Sequence, residues 1–166
     1  MNPVRKILVP VDFSEDSAHD LKYAVSLAQE TQAELVVLHV TTRKDADSFL
    51  DLLATMEGVP MLNPRAGIPV DRLLREKALD LYYFVEKVIG IPQPLKIGRR
   101  VALGKKAETI VRVTKDESID LVVLAVRKKS LFPYLTARGK LVKMISRFPC
   151  PVLLKPVSHG PWPQLA

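Results

Sequence analysis

Asp12 follows directly on an apolar run, Lys6–Val11 (KILVPV), and precedes Phe13 and Ser14. A carboxylate at the mouth of a buried strand can accept hydrogen bonds from a ribose or a base. A second group lies far along the chain: Arg127, Lys128, Lys129, Lys140, Lys143 and Arg147, with Arg138 among them, in a stretch without Asp or Glu after Asp120. Cations at that density attract phosphate, nucleic acid, acidic lipid or an acidic protein face. A helix start near Gly139 would add backbone N–H groups to such an anion site. Lys140, Lys143 and Arg147 also share one helix face by spacing, which a solvated surface explains equally well.

Other chemistry is thinly represented. His19, His39 and His159 stand far apart without ligand spacing, and the single Cys150 excludes an internal disulfide and a multi-cysteine metal site. No metal is expected. His39 falls in an apolar run and reads as a core histidine. Cys150 reads as a small apolar residue, Ser14 as a helix cap, and Tyr82-Tyr83-Phe84 as core packing on one side of a helix. A GxSxG elbow, a Walker A lysine motif and a GxGxxG turn after a strand are all missing. No catalytic residue is assigned, and the expectation is a protein that is not an enzyme, slow nucleotide hydrolysis staying open.

These groups need a frame. The chain has 166 residues, 48% hydrophobic and 26% charged, enough for one domain with a core. No apolar run approaches the ~18 residues of a membrane span, and the N-terminus lacks a signal-cleavage pattern. A soluble, cytoplasmic protein is the expectation. The net charge of +7 is unevenly spread: residues 1–95 hold 10 Lys/Arg and 14 Asp/Glu, net −4, while residues 96–166 hold 15 and 4, net +11.

Lys6–Val11 and Glu34–Val40 read as buried parallel strands, because their apolar runs are continuous rather than alternating. Between them a helix begins after the Ser14 cap, with Ala18, Leu21, Val25 and Ala28 inward. Residues 42–67 read as an irregular insertion holding a short helix near 46–57. Val70–Ile89 is a strong helix, ended by Gly90. A strand at about Leu95–Leu103, a helix at Lys106–Glu117 and a strand at Leu121–Val126 follow. A helix at Gly139–Arg147 leads to a last strand, Val152–Pro156. Residues 1–157 make one domain and 158–166 an extended tail. This alternation predicts a three-layer, Rossmann-like α/β fold, its mostly parallel five-stranded sheet covered by helices on both faces.

In such a sheet ligands bind beyond the carboxyl ends of the strands, where strand order reverses. The first and fourth strands are the natural central pair. Asp12 then faces the basic stretch 127–139 across one crevice.

The residues KILVPVDFSEDSAHDLKYAVSLAQETQAELVVLHV (6–40), Gly104 with Ala107-Glu108-Thr109-Ile110, IDLVVLAV (119–126) and FPCPVLLKPV (148–157) together resemble the universal stress protein family. The resemblance implies a stress-response or regulatory module, a homodimer formed through Val152–Pro156, and binding of ATP or another adenine nucleotide. It places Pro10, Val11 and Asp12 near the adenosine and makes Val40 a backbone contact to the base. Family binders carry a loop G-x2-G-x9-G-[ST] after the fourth strand. Here Ala125 and Lys128 stand at the first two glycine positions, Arg138 at the third and Gly139 at the Ser/Thr position. With a one-residue deletion, Gly139 is instead the third glycine, followed by Lys140. Long side chains replace glycines that let backbone N–H groups approach phosphate, so weak or atypical binding is expected.

Two other readings stay open. One is an adaptor that does not bind nucleotide, using the basic surface (Arg127, Lys128, Lys129, Lys140, Lys143, Arg147) for an anionic protein, membrane or nucleic-acid partner. The other is a nucleotide-dependent enzyme of the same broad fold.

Overall fold

A computed structural model of the chain describes residues 3–57, 70–90, 94–126 and 140–156. The elements run β1 (Lys6–Val11), α1 (Glu15–Thr31), β2 (Glu34–Thr41), α2 (Arg43–Glu57), α3 (Val70–Ile89), β3 (Ile97–Leu103), α4 (Lys106–Asp116), β4 (Leu121–Val126), α5 (Lys140–Ile145) and β5 (Val152–Pro156). The five strands form one wholly parallel sheet in the order β3-β2-β1-β4-β5. The first three strands build outward from β1 in one direction. The chain then crosses to the other side of β1 to lay down β4 and β5.

Continuous apolar strands demand cover on both faces. Ile7, Val9 and Val11 of β1, with Leu35 and Val37 of β2, pack under Leu21, Ala24 and Ala28 of α1 and Leu81 and Val85 of α3. Leu8, Val36, Leu38, Val122 and Leu124 point to the other face, under Val111 of α4, Met144 of α5 and Phe148. The fold is therefore three layers around two cores, as the alternation of elements predicts.

Helix boundaries follow local chemistry. Ser14 caps α1, its Oγ accepting from Ser17 N at 3.2 Å, with Glu15 and Asp16 in the first turn. α2 begins three residues before the expected 46. Its start is set by a reciprocal capping box: Thr42 N donates to Asp45 Oδ2 at 2.8 Å, and Asp45 N to Thr42 Oγ1 at 3.3 Å. The Thr42 hydroxyl, donating to Asp45 Oδ2 at 2.7 Å, and then the Thr42 N–H hold the Asp45 carboxyl below its ordinary pKa. α2 fills much of the stretch read as an irregular insertion, and residues 58–67 lie outside the described residues, as does the tail 158–166. α5 stops at Ile145 rather than Arg147 because the chain tightens: Arg147 N donates to Met144 O and Phe148 N to Ile145 O. α3 turns Leu73, Leu81 and Val85 inward and half-buries Phe84, but Tyr82 and Tyr83 are exposed, which corrects their assignment to the core.

Among the described residues one ion pair is buried. Lys155 Nζ on β5 lies 2.9 Å from Asp20 Oδ1 on α1, with side-chain exposures of 11% and 4%. It fixes an edge strand to the helix layer above it. Removing one partner strands the other's charge in a low-dielectric interior. Lys155→Met is expected to lower unfolding stability by about 3–5 kcal/mol, and Asp20→Leu combined with it to recover most of that loss. Urea denaturation of the two variants checks both.

Candidate functional site

The site is built at the carboxyl edge of the sheet, where β1 parts from β4. β1 stays in register with β2 along its whole length, from Lys6↔Glu34 to Val11↔His39. Its pairing with β4 is confined to Ile7↔Leu121 and Leu8↔Val122, although both strands run on. The cause is legible in the sequence. Arg5 O accepts from Glu34 N on the β2 side, and Lys6 O accepts from Asp120 N on the β4 side. Alternation therefore turns the backbones of Lys6, Leu8 and Pro10 toward β4. The next rung needs an N–H from residue 10, and proline has none. The ladder ends there.

The same bookkeeping orients Val40. Leu35 N donates to Lys96 O on the β3 side, while Glu34 faces β1. Even-numbered residues of β2 thus face β1, and the Val40 carbonyl points that way, past Val11, the last paired residue of β1. Its side chain is buried under the α4 layer, which fixes the backbone.

Asp12 is exposed beyond the end of β1 and held in one orientation. Its Oδ1 accepts from Ser14 Oγ at 2.5 Å, Ser17 Oγ at 2.6 Å and Ser14 N at 3.2 Å. Its own N–H donates to Ser17 Oγ at 2.8 Å. Ser17, buried in the first turn of α1, therefore grips Asp12 at both backbone and side chain. The sequence reading found Ser14 as the cap and missed Ser17. A serine five residues past the acid, on the inward face of a helix's first turn, was the available signal.

Phe13 makes this closure geometry possible. It lies in the left-handed region at φ 66, a conformation costly for a bulky residue. The cost is offset by packing: its ring stacks on His39 at 4.2 Å between centroids and meets Phe84 edge-on at 5.5 Å. Lys77 Nζ sits 5.9 Å over the same ring. His39 is half-buried, its Nδ1–H donating to Val11 O at 3.0 Å. Burial lowers its pKa from 6.5; the Val11 bond opposes this, Lys77 and Lys106 reinforce it, and Asp45 opposes it weakly.

Of the remaining expected residues, Ala125 lies exposed on β4, paired with Lys155. Lys140 opens α5. Lys143 and Arg147 are exposed. Lys128 and Gly139 lie outside the described residues, with Arg127, Lys129 and Arg138. Cys150 is half-buried, its thiol pKa pushed up by burial and secondarily by Asp120. Among the described residues no group of three His, Cys, Asp or Glu is placed to hold a metal ion. No helix among them is long and apolar enough to cross a membrane.

The end of the ladder is open to test. Pro10→Ala supplies the missing donor and is expected to extend pairing to Val9↔Val123. Amide hydrogen exchange should show a protected residue 10 and slower exchange at the end of β4. Fast exchange at residue 10 would mean that something else holds the strands apart. His39 gives a pH dependence of definite sign. Its folded pKa is below the unfolded value, so the unfolded chain binds the extra proton. Its contribution is complete above about pH 6.5 and is lost as pH falls from there to the folded pKa, then levels off. Urea midpoints between pH 5 and 8 should show that slope, and His39→Gln should flatten it.

In open parallel sheets ligands bind at the carboxyl ends of the strands where strand order reverses, and that is where Asp12 and the Val40 carbonyl stand. The sequence matches the universal stress protein family over residues 3–156. A universal stress protein of Methanocaldococcus jannaschii (MJ0531) is 27% identical over 153 residues, covering 92% of this chain and 82% of the relative. The solved structure of another protein of that organism (MJ0577) superposes with a TM-score of 0.60 at 20% identity, covering 96% of this chain and all of that one. A universal stress protein solved in complex with cAMP gives 0.56 at 16% identity, covering 95% of this chain and 100% of that one. This chain, from the strand Lys6–Val11 that leads into Asp12 to the strand at Val152–Pro156, belongs to the universal stress protein family.

Proposed function

We propose that this chain is a stress-response regulatory module that binds an adenine nucleotide between the carboxyl ends of β1 and β4. The observation that carries this reading is the ladder that stops at Leu8↔Val122 while both strands continue. The Val40 carbonyl accepts from the adenine amino group, and Pro10 and Val11 flank the base. Asp12, pre-oriented by Ser14 and Ser17, accepts from the ribose hydroxyls. Ala125, Lys128, Gly139 and Lys140 stand on the phosphate side. There, side-chain cations replace a glycine cradle, giving a looser and less directional anion site. The cAMP complex of a relative supports an adenine nucleotide as the ligand class. The role is binding and regulation rather than turnover, and the chain pairs with a second copy through the edge strand β5, where Leu154 is exposed.

A second reading rests on charge. The net +11 of residues 96–166 favours an adaptor whose basic surface meets an anionic partner.

Calorimetric titration with ATP and with AMP at millimolar ligand separates the two. The nucleotide reading expects both to bind, with Asp12→Asn weakening each about 10-fold through the loss of a charge-assisted bond. Absence of heat and of any thermal shift for either nucleotide overturns it. The adaptor reading expects partner capture to be abolished by reversing Lys140, Lys143 and Arg147, and fails if capture is unaffected.

A further inference from the structure

We propose that the outward face of α3 is a docking surface for α3 of a second copy of this chain, the two helices lying antiparallel. The starting observation is an exposed apolar patch. Leu79, Tyr82 and Tyr83 occupy one turn of α3 and are 58%, 47% and 67% exposed. They lie on the side of the helix opposite Leu73, Leu81 and Val85, which are fully buried. Core packing therefore does not account for them, and patches of this kind mark contact surfaces.

The charges around the patch identify the occupant. Arg75 stands one turn before Leu79 on the outward face and has no ion-pair partner among the described residues. Glu86 stands one turn after Tyr82 on the same face. Positive lead and negative trail around an apolar centre make the stripe self-complementary when a copy is reversed against it. A two-fold axis between Asp80 and Leu81 sets Arg75 against Glu86 of the second copy and Leu79 against its Tyr82. Both contacts are then made twice.

The patch is also pre-organised. Arg99 on the edge strand β3 donates from Nη2 to Glu86 Oε1 at 2.7 Å and lays its guanidinium 5.1 Å over the Tyr82 ring. Tyr82 and Tyr83 are themselves edge-on at 5.6 Å. Side chains fixed before contact lose less entropy on docking. One helix pair buries less than a standard interface, so the association is reversible and concentration-dependent. It is separate from pairing through β5, on the opposite edge of the sheet.

Sedimentation velocity over a range of protein concentration reads this step. The wild-type chain is expected to form a larger species as concentration rises, and Leu79→Ser with Tyr83→Ser to remove it while leaving the far-ultraviolet spectrum unchanged. Arg75→Glu sets two carboxylates together, and Glu86→Arg two guanidinium groups, so each variant alone should associate at least about 10-fold more weakly. Mixed one to one they restore both contacts, and the larger species should return. A mixture that associates no better than either variant alone overturns the proposal. So does a concentration-dependent step insensitive to all four substitutions, which would assign self-association to β5 instead.

Discussion

A parallel strand at the centre of a sheet must satisfy two demands together. Both faces have to be covered by apolar side chains, and every backbone group has to find a partner in a neighbouring strand. β1 meets the first demand throughout, with Ile7, Val9 and Val11 under one helix layer and Leu8 under the other. It meets the second only in part, because residue 10 is proline and its missing donor falls on the β4 side. The rest of the architecture follows from that one absent hydrogen. β2 grips β1 to its end, and β4 lets go early, at the place where the strand order reverses.

What stands beyond the end of β1 is held by a second local compromise. Phe13 takes a left-handed backbone, which turns the chain sharply enough for Ser14 and Ser17 to reach back to Asp12. That conformation persists only if its surroundings over-determine it. The ring does so, wedged between His39 of β2 and Phe84 of α3, with Lys77 above. The orientation of the carboxylate thus depends on α3 as well as on α1. Packing on one face of the sheet sets the chemistry at its edge.

Much of this was readable from the residues. Continuous apolar runs placed β1, β4 and β5 to the residue at most ends, because parallel strands buried on both faces leave that signature. The α3 boundaries were equally plain, since its apolar stripe runs from Val70 through Leu73, Leu81 and Val85 to Val88 and Gly90 closes it. α2 was less so: residues 43–45 are polar, so periodicity misses the first turn, and the Thr42–Asp45 box that fixes it is a local signal of another kind. At the site, Asp12 and Ser14 could be found from turn and cap chemistry. The grip of Ser17 and the left-handed Phe13 could not, because both depend on side chains brought together by folding. The outward turn of Tyr82 and Tyr83 was hidden for a similar reason. Aromatic residues read as core until the helix phase is fixed by what lies beneath it.

In the proposed nucleotide site the two ends would be made of different materials, and this bears on what would select a ligand. The proposed adenosine end would use backbone and a clamped carboxylate, groups whose positions are set by the sheet and by α1. The phosphate end has Lys128 and Arg138, or Lys140, where the family pattern has glycine or Ser/Thr. Backbone N–H groups count phosphate oxygens by geometry, whereas flexible cations respond mainly to total charge and are screened by salt. Affinity at such a site comes chiefly from base and ribose. The number of phosphates then adjusts binding in a graded, salt-dependent manner instead of acting as a gate. A regulator so built would report the presence of adenosine-type ligands more sharply than the ratio of ATP to AMP, and discrimination between those two would have to come from elsewhere in the chain.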